Sequence, residues 1–72
     1  IAVRQGFTTP DREEAMVKAL AAARARETWV LADSSKFGAV TAAAVLPLEG
    51  ARIITDRLED RRYLEYTEIK EV

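Results

Sequence analysis

A run without charge, Thr28-Trp29-Val30-Leu31-Ala32, breaks directly into Asp33-Ser34-Ser35-Lys36-Phe37-Gly38. Five apolar or β-branched residues in a row, bounded by polar turn formers, read as a buried strand covered on both faces. A strand that opens into a carboxylate, two hydroxyls, an ammonium and a glycine is the arrangement in which open α/β sheets bind ligands, beyond the carboxyl ends of their strands. Backbone N–H groups and the Ser34 and Ser35 hydroxyls can donate to an anion, Lys36 adds a compact positive charge, and Gly38 permits a sharp turn. A phosphate group suits such a loop.

The flanking segments read as alternating short elements. Ile1-Ala2-Val3 has the look of a strand stump. Thr8-Thr9-Pro10-Asp11 is a helix start, with Thr9 or Asp11 as N-cap, Pro10 suited to the first turn, and Asp11 to Glu14 at capping-box spacing. The helix is expected from about Pro10 to Ala25, with a stripe of Ala15, Met16, Ala19, Leu20, Ala22 and Ala23 facing a sheet. Ala42 to Leu46 reads as a weaker strand ended by Pro47. After the turn Leu48-Glu49-Gly50, Arg52 to Thr55 reads as a further strand ending at Asp56. If it runs parallel to Trp29-Val30-Leu31, Asp33 and Asp56 share one edge. Leu58 to Tyr66 fits a short amphipathic helix and Thr67 to Val72 an edge strand. The expected architecture is therefore α/β, a mainly parallel sheet with flanking helices.

Composition excludes several function classes. The 72 residues contain no Cys and no His. That removes disulfides, thiolate chemistry, the commonest metal ligand and the Ser-His or Cys-His nucleophile arrangements, and a reducing cytoplasm fits. Neither a metal nor a cofactor is expected. The formal net charge of −1, with basic residues scattered among carboxylates, argues against these residues gripping a nucleic-acid backbone. No apolar run approaches membrane-spanning length, so no membrane partner is expected. A chain this short buries only roughly 60% of its unfolded surface, and many of its apolar residues are alanines; partner copies are expected to help, giving a homo-oligomer.

The segment from Trp29 to Gly38 resembles the strand and loop near the C-terminal end of the sensor domain in DeoR-type bacterial transcriptional repressors. Gly6-Phe7-Thr8-Thr9 with Asp11, Glu14-Ala15 and Val17-Lys18 is similar to the loop and helix that precede it in that family. Val45-Leu46-Pro47-Leu48 and Ile53-Ile54-Thr55-Asp56 resemble the segments that follow. Ala39-Val40-Thr41-Ala42 departs from the pattern, since members often carry basic residues there. The resemblance implies a ribose-phosphate-isomerase-like fold and a sensor for a phosphorylated sugar or related metabolite. DNA would be engaged only through a helix-turn-helix domain outside this chain, which is read as the C-terminal half of a sensor domain.

The resemblance also implies site residues. Lys36 would hold the phosphate, and Lys18 matches the family's helix lysine, although a solvated surface ion pair with Glu14 is the plainer account of it. Ser34 and Ser35 either donate to the same anion or cap the turn after the strand. Asp33 accepts sugar hydroxyls, pairs with Lys36 or satisfies loop N–H groups. A sugar-phosphate isomerase, with a carboxylate as general base, and an oligomerisation half-domain without a ligand site are the alternatives.

Overall fold

The computed structural model describes residues 1–72. In chain order the elements are β1 (Phe7–Thr9), α1 (Arg12–Arg24), β2 (Trp29–Leu31), β3 (Ala43–Leu46), β4 (Arg52–Thr55) and β5 (Ile69–Glu71). Short 3-10 turns span Ser34–Lys36, Leu48–Gly50 and Arg61–Glu65. β2, β4 and β5 form a parallel sheet in the order β2-β4-β5, with Trp29 beside Arg52 and Ile53 beside Ile69. The α/β expectation and the parallel run hold for these strands.

The rest of the sheet structure corrects the sequence reading. Gly6 to Thr9, expected as a loop, supplies β1, which pairs antiparallel with β3 in a separate two-stranded sheet. Three residues are too few to show a strand's period of two, so only the tertiary partner reveals it. Ile1 to Val3 is no strand; Ala2 makes a single bridge to Gly6, and Ile1 turns into the core.

The helix begins where its capping chemistry dictates. Asp11 Oδ1 accepts from the Glu13 N–H at 2.8 Å and the Glu14 N–H at 3.3 Å, and both glutamates lie near the positive end of the dipole. Pro10 precedes the cap instead of lying in the first turn, and Thr9 is buried in β1. α1 packs on β3 and β1 through Ala15, Ala19 and Ala22, spaced four and three residues apart. Met16 and Leu20, expected on that stripe, are 67% and 58% exposed. Each follows an inward alanine by one residue and is therefore rotated about 100° away from the contact.

The core joins Ile1, Phe7, Leu48, Ala51, Ile53, Leu58 and Tyr63. β4 is its centre, because it alone in the parallel sheet has a strand on each side; Ile53 is fully buried and Thr55 nearly so. β2 is an edge strand, half-buried at Trp29 and Val30, and Leu31 is 81% exposed. The expectation that both its faces are covered is therefore corrected. The Arg52 N–H donates to Thr28 O and the Ala32 N–H to Ile54 O. By alternation, the main-chain groups of Trp29 and Leu31 point to the open edge.

Leu58 to Tyr66 forms no α-helix; a 3-10 turn over Arg61–Glu65 follows an Asp60 cap on the Arg62 N–H. Tyr63 enters the core and meets Phe37 edge to face with ring centroids 5.0 Å apart, whereas Tyr66 is exposed. The Tyr63 hydroxyl donates to Ile1 O at 3.2 Å.

Candidate functional site

The loop leaving β2 is held by two carboxylates, its own Asp33 and Asp56 beyond the end of β4. Asp33 Oδ1 accepts from the Ser35 N–H at 2.9 Å and from the Ser35 hydroxyl. Asp56 Oδ1 accepts from the Ser34 N–H at 2.7 Å. As the parallel register requires, the two aspartates share one sheet edge. Hydrogen bonds from Ser35 hold the Asp33 carboxyl below the usual range, and the Ser34 N–H does the same to Asp56. The Lys36 N–H donates to Asp33 O at 3.1 Å, closing the turn. At the far end Gly38 takes a φ of 86° and its N–H donates to Ile1 O at 2.6 Å. The Ile1 nitrogen donates to Lys36 O and Ala39 O.

These bonds sort the residues singled out in the sequence. The N–H groups of Ser34 and Ser35, which looked free to receive an anion, already carry carboxylate partners. Asp33, not a serine, caps the turn: its carboxylate satisfies the Ser35 N–H and also accepts from the Ser35 hydroxyl. Lys36 and Lys18 lie elsewhere, on the wall of an open cavity of about 900 Å³ between α1, the β1–β3 pair and the free edge of β2. The charged residues lining that cavity are Lys18, Lys36 and Glu27.

Glu27 is already committed, to Arg52 at 2.8 Å and to the Trp29 indole N–H, and the latter bond lowers its pKa most. Neither lysine enters an ion pair: the expected Glu14–Lys18 pair is absent from the salt bridges, which join Arg52 to Glu27 and Glu68, and Arg57, Arg61 and Arg62 to Glu59, Glu71 and Asp60. Two ammonium groups outside any salt bridge thus line one cavity, and Lys36 also acts through space on the Asp33 carboxylate, adding to the Ser35 hydrogen bonds that lower its pKa.

The cavity also brings in a polar pair that the sequence does not announce. Thr41 donates through its N–H and its hydroxyl to Thr8 Oγ1, both at 3.0 Å, and both threonines line the wall. They are 33 residues apart, and no local spacing links them. Trp29, on the same wall, is flanked by Arg52 and Lys70 at 5.6 and 5.0 Å from the ring centroid. It is not a core residue. No group of three or more His, Cys, Asp or Glu is placed to hold a metal ion, and no helix is long and apolar enough to cross a membrane.

The sequence pattern of the family described as "DeoR C terminal sensor domain" matches residues 1–57. Over 63 residues the chain is 43% identical to the uncharacterized HTH-type transcriptional regulator FruR of Bacillus subtilis (strain 168). That alignment covers 88% of this chain and 25% of the relative, so the chain spans about a quarter of the length of the curated protein it matches. No solved structure matches it.

Proposed function

Because the chain belongs to the DeoR C-terminal sensor domain family, we propose that it forms the C-terminal part of the effector-sensing domain of a transcriptional regulator and recognises a phosphorylated sugar or related metabolite. The observation that carries this reading is that Lys36 and Lys18, neither of them in a salt bridge, line the same cavity. They receive the phosphate, and Thr8 and Thr41 offer hydroxyl groups beside it. Asp33, Ser34 and Ser35 act by shaping the loop that presents Lys36. A carboxylate next to a phosphate repels it, which favours an anion on the cavity side over one at the serine N–H groups that Asp33 and Asp56 hold.

The parallel strands β2 and β4, with Asp33 and Asp56 beyond their ends, support reading the fold as part of a ribose-phosphate-isomerase-like domain. The role is recognition and not catalysis. An attached helix-turn-helix domain engages DNA, and the effector alters that affinity by binding two conformations unequally. The open edge of β2 favours assembly into an oligomer, and the regulator works in the cytoplasm.

Calorimetric titration with inorganic phosphate, ribose phosphate, glucose phosphate and fructose phosphate at low salt tests this reading. Loss of one charge-assisted contact in Lys36→Ala is expected to weaken binding by about tenfold or more. Lys18→Ala is expected to weaken it less. Saturable binding unchanged in both variants, or no binding by the parent chain, overturns the assignment.

A further inference from the structure

The two ends of the Asp33–Gly38 loop are anchored differently. Its far end is locked to Ile1, a core residue, through the Gly38 N–H and Lys36 O. Its near end leaves the β2–β4 ladder at the Ala32 N–H to Ile54 O bond of 3.0 Å. One step further, the main-chain ladder is continued by a side chain: Asp56 Oδ1 takes the Ser34 N–H at 2.7 Å across 22 residues of sequence. Asp56 is itself seated at the end of the central strand, where the hydroxyl of buried Thr55 donates to the same oxygen at 3.3 Å. The bonds between Asp33 and Ser35 are local; they travel with the loop and do not tie it to the sheet.

We infer that Asp56 is a positioning residue for the cavity lysine Lys36, acting through the Ser34 N–H to set the direction in which the Ser34–Lys36 turn leaves the sheet. This rests on the sugar-phosphate reading above. With the clasp in place, the ammonium of Lys36 is presented to the cavity before ligand arrives, so less ordering is lost on binding. With the clasp gone, the turn stays closed on Asp33 and tied to Ile1 at the Lys36 carbonyl, but its Ser34 end is free to pivot about the end of β2. Lys36 then keeps one anchor of two, and the direction of its side chain is less tightly set.

A competing physical effect has the opposite sign, which makes the inference testable. If Asp56 acts on the ligand only as a nearby negative charge, its removal tightens phosphate binding; if it acts as a clasp, removal weakens it. Asp56→Asn separates the two, because its Oδ1 still accepts from Ser34 while the charge is gone. The experiment is titration of the same four phosphates into the parent chain, Asp56→Ala, Asp56→Asn and Lys36→Ala, with amide hydrogen exchange at Ser34 measured alongside.

The clasp predicts affinity about tenfold lower and faster Ser34 exchange in Asp56→Ala, and Asp56→Asn within about threefold of the parent. Affinity in Asp56→Ala equal to or tighter than the parent overturns the inference, while loss of binding in Lys36→Ala keeps the ligand reading standing. Binding equally weak in Asp56→Asn and Asp56→Ala overturns it too. Absence of saturable binding by the parent chain overturns the ligand reading itself. If Asp56→Ala does not fold, Asp56→Glu takes its place: it keeps the charge but lengthens the arm, and parent-like affinity there overturns the clasp.

Discussion

Gly6 and Gly38 have similar backbone angles, with φ of 70° and 86°, yet they are under different constraints. A Cβ on Gly6 would lie 2.4 Å from Leu46 O and 2.8 Å from Pro47 Cα, both backbone atoms, whereas one on Gly38 meets nothing within 4 Å. Gly38→Ala therefore pays only the left-handed backbone cost, about 1–2 kcal/mol. Gly6→Ala adds displacement of the β3 backbone and is expected to lose distinctly more, with urea unfolding midpoints ordered parent, Gly38→Ala, Gly6→Ala. Equal midpoints for the two variants would refute this account. Gly38 was legible in the sequence because it follows a loop rich in turn formers. Gly6 was legible only as part of a motif, since its crowding comes from a strand that lies some forty residues further along.

Elements were legible where local chemistry decides them. The Asp11 cap and the following glutamates set the start of α1, and Asp11→Ala is expected to cost about 1 kcal/mol, measured by chemical denaturation with Thr9→Ala as comparison. Thr9 is buried in β1, so its truncation should act through the β1–β3 pair and leave helix content unchanged. β4 spans Arg52–Thr55, as its β-branched run predicts. Leu58 to Tyr66 misleads because a mixed-charge stretch satisfies several periodicities at once. The Asp60 cap and the insertion of Tyr63 beneath Phe37 select the tighter turn.

For the whole molecule, exposed carboxylates set the response to pH. Hydrogen bonds from Ser35, Ser34, the Trp29 indole and Arg61 depress the pKa values of Asp33, Asp56, Glu27 and Glu71, and Arg62 brings Asp60 to about 2. A carboxylate depressed in the folded state stabilises it above the unfolded pKa, and that contribution is lost as pH falls through the folded value. These contributions are complete above about pH 5, and Tm should decline below about pH 4, modestly and less so in high salt because these pairs are solvent-exposed. A Tm that rises on acidification would contradict these assignments. At the same scale, Leu31 protrudes from an open strand edge. Leu31→Lys is expected to shift sedimentation toward monomer with Tm nearly unchanged, since no core contact is lost; unchanged sedimentation would place the contacts of any oligomer elsewhere.

The sequence alone determined the order of most elements, a helix start at Thr9 or Asp11, the position of the Asp33–Gly38 loop after a strand, and family membership through the residues around it. These rest on neighbours in the chain, where propensity, capping and turn chemistry act within a few residues. Tertiary structure alone decided that β1 pairs with β3 apart from the parallel sheet and that β2 lies at an edge. It also turned the Ser34 N–H toward Asp56 and gathered Lys18, Lys36, Thr8 and Thr41 around one cavity. Each of those outcomes joins residues distant in sequence, and which distant groups meet is fixed by burial of the Ile53-centred core and by ladder register.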